Sequence, residues 1–301
     1  MKPITYIKKF VEYINTATEF YPWSDNTLSE YLEDVAKVSR EFFTTWEDPD
    51  VKQNRILRAS TLGYPSVIQA MKVLGYDKRI PAEGTSNKMS RLFMDGHLFE
   101  AEIMAHFKSY PRFSVYGQQK TITFEGVEGH IDGVVSTPTG DVLIEAKTMS
   151  PFYFDKFIKN PDDERGYMTQ LAIYSEVLDT PGVWIAKNKA TSEVAVVVPE
   201  EEDLELARHR AHLLVPLLKR IEKFDDIFQV FQAPEPVEEV CRKTKTGRFI
   251  VPPEMRYSPW RYVFYKLEVA RNCYSKLTEY VVDRSSLNEA KEMMIALGYE
   301  L

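Results

Sequence analysis

The sequence predicts a mixed α/β sheet with helices packed on it, and three observations carry the prediction. Apolar residues recur at steps of three and four over 87–109, the period changes to two between Phe113 and Thr148, and helical and strand patterns then alternate to about residue 224. The chain has 301 residues, 44% hydrophobic and 28% charged, which is the make-up of a globular protein with a sizeable core. No run approaches the roughly 18 consecutive apolar residues of a membrane span. The opening MKPITYIKKFVEYI holds neither an unbroken apolar segment nor a small-residue cleavage site, so a cytoplasmic protein without membrane attachment is expected.

Residues 1–57 read as helical and aromatic-rich, with Thr27-Leu28-Ser29-Glu30 as a capping box that opens a helix running toward Trp46. Ser60 to Pro65 forms a turn into a short helix ending near Gly75. On the helix from about Asn87 to Ser109, Phe93, Gly96, Glu100, Met104 and Phe107 share one face, so Glu100 interrupts an apolar stripe. Phe113–Phe124, Gly129–Ser136 and Val142–Thr148 read as three strands, the last two joined by a turn at Pro138-Thr139-Gly140-Asp141. A helix from about Glu164 to Leu178, strands near Val183–Lys187 and Val194–Val198, and a charged helix from about Glu200 to Phe224 follow. Pro234-Glu235-Pro236 is the candidate linker and Ser285–Leu297 the last helix. The expected divisions are a helical N-terminal extension over 1–57, a core over 58–232 and a C-terminal appendage over 233–301.

Two cysteines, Cys241 and Cys273, are too few for an iron-sulfur cluster or an all-cysteine zinc site, and a lone disulfide runs against a reducing compartment. A metal, where there is one, is then a hard cation held by oxygens. The net charge of −7 has the wrong overall sign for a protein that coats nucleic acid and leaves room only for local basic surfaces. Such surfaces exist: Lys156, Lys159 and Arg165 in one stretch, Arg242, Lys243, Lys245 and Arg248 in another, with Tyr153, Phe154 and the aromatics of 257–262 as candidates for stacking on bases.

Strand alternation sets Glu145 and Lys147 on one face of their strand and Ile144 and Ala146 on the other. On the preceding strand Asp132 shares a face with His130 and Val134. Pairing around the short turn brings Asp132 and Glu145 to one side of the sheet, and two adjoining carboxylates repel unless a cation neutralises them. Mg²⁺ suits such a pair, Lys147 supplies a charge for stabilising developing negative charge, and Glu100 is the natural third carboxylate. A Glu-x-Lys alone is also the pattern of a solvated strand face with a cross-strand pair, and His97, one turn before Glu100, reads as a structural histidine or an alternative ligand. The order of the elements is what favours the site: a helix with Glu, a strand with Gly-x-x-Asp, a turn, a strand with Glu-x-Lys, and a helix with polar groups on its inner face.

Gly129-His130-Ile131-Asp132 followed by Ile144-Glu145-Ala146-Lys147 resembles the PD-(D/E)XK nuclease signature. Gln170-Leu171-Ala172-Ile173-Tyr174 resembles the Q-x-x-x-Y motif of its RecB-like branch, which includes the CRISPR-associated RecB-like exonucleases and relatives of lambda exonuclease. Gly96-His97-Leu98-Phe99-Glu100 sits where that branch has a Gly followed by a His or Glu ligand. Ile131 stands where the nominal Pro would be, and the turn at Leu62 to Pro65 lacks the Cys of cluster-bearing members, so the resemblance implies the version without an iron-sulfur cluster.

The resemblance implies a restriction-endonuclease-like central sheet flanked by helices and a Mg²⁺-dependent deoxyribonuclease, Mn²⁺ substituting. Glu100, Asp132, Glu145 and the Ala146 carbonyl would hold the metal. Lys147 would assist the attacking water, while Tyr167, Gln170 and Tyr174 would face the nucleic acid. An exonuclease acting on DNA ends in recombination, repair or phage DNA processing is the expectation, with a single-strand annealing or binding protein as a possible recombination partner. An endonuclease on the same fold, or a nucleic-acid-binding subunit of a larger recombination complex, is the alternative.

Overall fold

The computed structural model describes residues 2–17, 22–44, 57–76, 87–161, 165–256, 258, 260–299 and 301. The chain is mixed α/β and divides into two compact units, one of residues 1–52, 82–163 and 167–209, the other of 53–81, 164–166 and 210–301. These units cut the chain differently from the divisions 1–57, 58–232 and 233–301. Among the described residues no helix is long and apolar enough to cross a membrane.

In the first unit, helices α1 (Pro3–Thr16), α2 (Asp25–Thr44) and α4 (Asn87–Ser109) precede strands β1 (Ser114–Tyr116), β2 (Thr121–Phe124), β3 (Val127–His130), β4 (Gly133–Thr137) and β5 (Gly140–Met149). Helices α5 (Pro151–Lys159) and α6 (Tyr167–Leu178), strands β6 (Gly182–Asn188) and β7 (Val194–Val197), and the start of α7 (Glu201–Leu218) complete it. The central sheet has the order β1-β4-β5-β6-β7, antiparallel except for the β5–β6 pair, which is parallel and joined through α5 and α6. Ile7, Phe10 and Val11 of α1 and Phe99, Ile103, Met104 and Phe107 of α4 bury against Val135, Val142, Ile144, Val183 and Ile185 of the sheet. Full burial of each such side chain contributes about 1.5 to 3 kcal/mol, so this layer holds α4, and with it Glu100, firmly on the sheet.

Local chemistry moved several boundaries. Ser24 caps α2, its Oγ accepting the Thr27 N–H at 3.1 Å, so Thr27 is the third residue of the helix and not its cap. The proposed end at Trp46 lies outside the described residues, as does the side chain of Phe93. The strand expected over Phe113–Phe124 breaks where Gly117 and Gln119 take positive φ (66° and 54°), and that over Gly129–Ser136 breaks at Ile131 and Asp132. β2 and β3 therefore pair as a separate hairpin, and the His130 ring faces Thr121 Oγ1 at 3.3 Å instead of joining Asp132 on one strand face. Helix α5 follows β5 directly, started by Ser150, whose Oγ accepts the Tyr153 N–H. The helix expected to reach Phe224 stops at Leu218, and Asp226 Oδ2 accepts the Glu222 and Lys223 N–H groups at 3.0 Å to open a new one.

The second unit holds α3 (Ser66–Val73), α8 (Phe224–Val230), β8 (Val237–Cys241), β9 (Thr244–Ile250), the short helices α9 (Pro253–Arg256) and α10 (Arg261–Phe264), β10 (Tyr265–Arg271), β11 (Leu277–Arg284) and α11 (Leu287–Ala296). Its strands form an antiparallel sheet in the order β10-β11-β9-β8. Tyr76, Phe224, Trp260 and Tyr299 build an aromatic core with ring centroids 5.6 to 6.0 Å apart, Trp260 being 2% exposed. Contrary to the expectation for a reducing compartment, Cys241 and Cys273 form a disulfide: the end of β8 and the β10–β11 turn bring their Cα atoms to 6.4 Å, within bridging range.

Candidate active site

β5 delivers Glu145 and Lys147 to one face, as residues two apart on a strand must be, while Ile144 and the partly buried Ala146 join the core with α1 and α4 on the other. Lys147 Nζ donates to Glu145 Oε1 at 2.6 Å and to Gln170 Oε1 on α6 at 3.2 Å. Gln170 Nε2 in turn donates to the Tyr174 hydroxyl at 3.3 Å, and the Lys147 ammonium stands 4.8 Å from the centre of the Tyr167 ring. The Q-x-x-x-Y helix thus meets the E-x-K strand through Lys147.

α6 reaches this depth because Gly182 at the start of β6 has no side chain. A Cβ there would come within 2.6 Å of Ser175 Oγ and 2.7 Å of Leu171 Cδ1. Phe157 of α5 closes the same side, its ring 5.1 Å from Trp184 and 5.9 Å from Tyr167.

Asp132, at the junction of the hairpin and the central sheet, accepts the Ala146 N–H on Oδ2 at 2.7 Å, which pins it beside Glu145. Burial, then the negative charge of Glu145 and Glu100, holds the Asp132 carboxyl well above the usual carboxylate range, against Lys147 and the Ala146 N–H. Burial raises Glu145 likewise, with Lys147 opposing and Glu100 adding. Burial works against the charge of Lys147, but Glu145 and Asp132 outweigh it and hold the ammonium above its ordinary value. Glu145 is 1% exposed, and its Oε2 has no hydrogen-bond partner, an orphaned acceptor in the interior.

Glu100 projects from α4 toward this group and is electrostatically felt by both carboxyls, while its own oxygens face Gln119 Nε2, which donates to Oε1, and His97 Nδ1, 3.7 Å from Oε2. As the side chains stand, no three His, Cys, Asp or Glu among the described residues are gathered closely enough to hold a metal ion. The donor chemistry nonetheless suits a hard cation: a buried carboxylate oxygen without a donor beside a second carboxyl whose ionised form burial and its acidic neighbours disfavour until a cation offsets them.

The structure brings Asp132, Glu145, Lys147, Tyr167, Gln170 and Tyr174 together, with Glu100 at their edge. Gln170 and Tyr174 are 5% and 1% exposed, so their polar atoms serve Lys147 in this state instead of facing an outside ligand, and Tyr167 is the more accessible of the three. Tyr153 and Phe154 are buried and cannot stack on bases, whereas Phe152 is 82% exposed. Lys156, Lys159 and Arg165 are exposed. Tyr257 and Pro259 lie outside the described residues. Glu102 pairs with Lys187 Nζ at 2.8 Å. These two line, with His106, a cavity of about 590 Å³ that holds none of the predicted site residues. Gln119 escaped the sequence reading: a polar residue in a Gly-Gln-Gln-Lys turn carries no periodic signal, and only the folded turn aims it at Glu100.

No family model matches the chain, and no curated protein matches it. Among solved structures, one described as "Crystal structure of SSO0001" is similar at 13% identity, covering 61% of this chain and 85% of that chain with a TM-score of 0.37. At that level the likeness bears on no detail of activity, and the mixed α/β class is read from the strands and helices themselves.

Proposed function

We propose that this chain is a PD-(D/E)XK-type, Mg²⁺-dependent deoxyribonuclease with a restriction-endonuclease-like core, acting as an exonuclease from DNA ends. One observation carries the reading: half-buried Asp132 is bonded to the Ala146 N–H, next to buried Glu145, and Lys147 is bonded to Glu145 and to the Gln of the Q-x-x-x-Y helix. A structural ion pair has no need of a second carboxyl beside it. Asp132, Glu145, Glu100 and the Ala146 carbonyl are the groups that would hold the ion, which when bound supplies positive charge against the phosphate and acidifies a water.

Lys147, kept charged by its two carboxylate neighbours, orients the attacking water and meets the negative charge that grows on the phosphoryl oxygens. Gln170 fixes the ammonium, and Tyr174 fixes Gln170. Water adds to phosphorus as the bond to the 3′-oxygen breaks, leaving a 5′-phosphate and a 3′-hydroxyl. Recombination, repair or phage DNA processing, in a bacterial or phage-infected cytoplasm and beside a single-strand annealing or binding protein, is the setting such an enzyme fits. The Cys241–Cys273 disulfide weighs against a reducing compartment.

The test is digestion of 5′- and 3′-labelled linear DNA, single- and double-stranded, and of closed circular DNA, with Mg²⁺, Mn²⁺ or EDTA. Release from ends that stops in EDTA is expected. Cutting of closed circles would make it an endonuclease. The absence of any three-ligand group among the described residues favours a second reading, a nucleic-acid-binding subunit with an idle site, and binding without cleavage in every metal would establish that one.

A further inference from the structure

Arg242 and Lys243 are the two central residues of the β8–β9 hairpin, between the paired Cys241 and Thr244, and both have positive φ (49° and 68°). A two-residue hairpin turn with both φ positive is the type I′ geometry that Asn-Gly fills without strain. Here two long basic side chains occupy it, which is an uncommon conformation for either residue. Strain of this kind points to a use for the side chains it displays.

The Cys241–Cys273 disulfide ties this tip to the β10–β11 turn. There Asn272 Oδ1 accepts the N–H groups of Tyr274 and Lys276 at 2.9 and 3.0 Å, and Ser275 takes φ 58°. The result is a fixed turn that exposes Tyr274 (60%) between Arg271 and Lys276. From Val240 to Phe249 and from Val269 to Thr278 the chain has six Lys or Arg and no Asp or Glu, in a protein of net charge −7. Glu238 and Glu239 neutralise Lys245 and Arg248. No carboxylate among the described residues pairs with Arg242, Lys243, Arg271 or Lys276.

We infer that the two tied hairpin tips are a binding surface for single-stranded nucleic acid, with Arg242, Lys243, Arg271 and Lys276 on backbone phosphates and Tyr274 stacked on a base. Cations without acid partners around an exposed aromatic ring are what a strand with unpaired bases recognises, whereas an anionic lipid surface has no use for the ring and would repel the acidic remainder of the chain. The inference rests on the nuclease reading only for the identity of the polyanion, and binding is measured where cleavage cannot occur.

The experiment is fluorescence anisotropy of a short labelled oligothymidylate with the full oxidised chain in EDTA, over a series of salt concentrations. The variant Arg242→Asn/Lys243→Gly removes two cations and installs the residues the turn prefers, so its thermal midpoint is expected to hold or rise. Its affinity should fall about tenfold, and the slope of log affinity against log salt should shrink by about 1.4, two phosphates' worth. Tyr274→Ala is expected to weaken binding several-fold with the salt slope unchanged. Affinity and slope equal to wild type in both variants overturn the inference. So does a wild-type chain that ignores the oligonucleotide but sediments with vesicles of equimolar phosphatidylglycerol and phosphatidylcholine. Tip-dependent binding by a chain that never cleaves would instead sink the nuclease reading alone.

Discussion

Lys147 Nζ lies 2.6 Å from Glu145 Oε1, with the lysine side chain 17% and the glutamate side chain 2% exposed. Removing one member of such a pair leaves the other charge buried alone, typically at a cost of about 3 to 5 kcal/mol, whereas removing both can be nearly neutral. Lys147→Met is therefore expected to abolish cleavage and also to destabilise the metal-free fold. Glu145→Gln/Lys147→Met should recover most of the stability and none of the activity. Urea unfolding of the four proteins of this cycle measures the coupling, which on those figures is at least about 3 kcal/mol. Additive effects would show that the two side chains are not coupled in the fold.

The raised carboxyl of Asp132 gives a stability that depends on pH. A folded-state value above the unfolded one means the folded protein holds its proton longer. The stabilisation is complete below the ordinary Asp value near 3.8 and is lost as pH rises through the folded value. Asp132→Asn keeps an acceptor for the Ala146 N–H and never ionises. In EDTA it should be more stable than wild type at neutral pH, by about 1.4 kcal/mol for every tenfold by which folding tightens the hold of Asp132 on its proton, with the gap closing as pH is lowered. Thermal melts from acid to neutral pH check this, and a gap that widens in acid would reverse the assignment.

Gln119 sits at φ 54° and donates to Glu100, while its own N–H bonds Ile131 O at 2.9 Å, one residue before Asp132. The turn thereby positions two of the three carboxylates. Gln119→Gly suits the backbone angle and should leave stability within about 1 kcal/mol of wild type. With Glu100 released, the Mg²⁺ concentration for half-maximal cleavage should rise about tenfold, the usual size of an effect on a ligand's supporting bond. An unchanged Mg²⁺ dependence would mean that Glu100 does not need this hydrogen bond.

The Cys241–Cys273 bridge closes a sequence separation of 32 residues, for which chain entropy alone predicts about 3 to 4 kcal/mol of stabilisation. Reduction by dithiothreitol, or Cys241→Ala/Cys273→Ala, should lower the urea midpoint of the oxidised protein accordingly. Thiol titration of the denatured chain, without reductant, should find no free sulfhydryl.

Local pattern was enough for much of this molecule. The stripe that ends in Met104 and Phe107 marked α4 to the residue, since helical period depends only on neighbours three and four apart, and strand alternation put Glu145 and Lys147 on one face for the same reason. Alternation and element order single out Asp132, Glu145 and Lys147 in the sequence, whereas Gln170 joins them there only through its resemblance to the Q-x-x-x-Y motif. What local pattern cannot carry is contact between distant segments and the backbone angle at a single residue. The break at Ile131 and Asp132, the reach of Gln119 to Glu100, the burial of Gln170 and Tyr174 against Lys147, and the disulfide between two hairpin tips all arise from packing of segments far apart in the chain. Each is decided by what the folded surroundings leave room for, and that is a property of the tertiary structure alone.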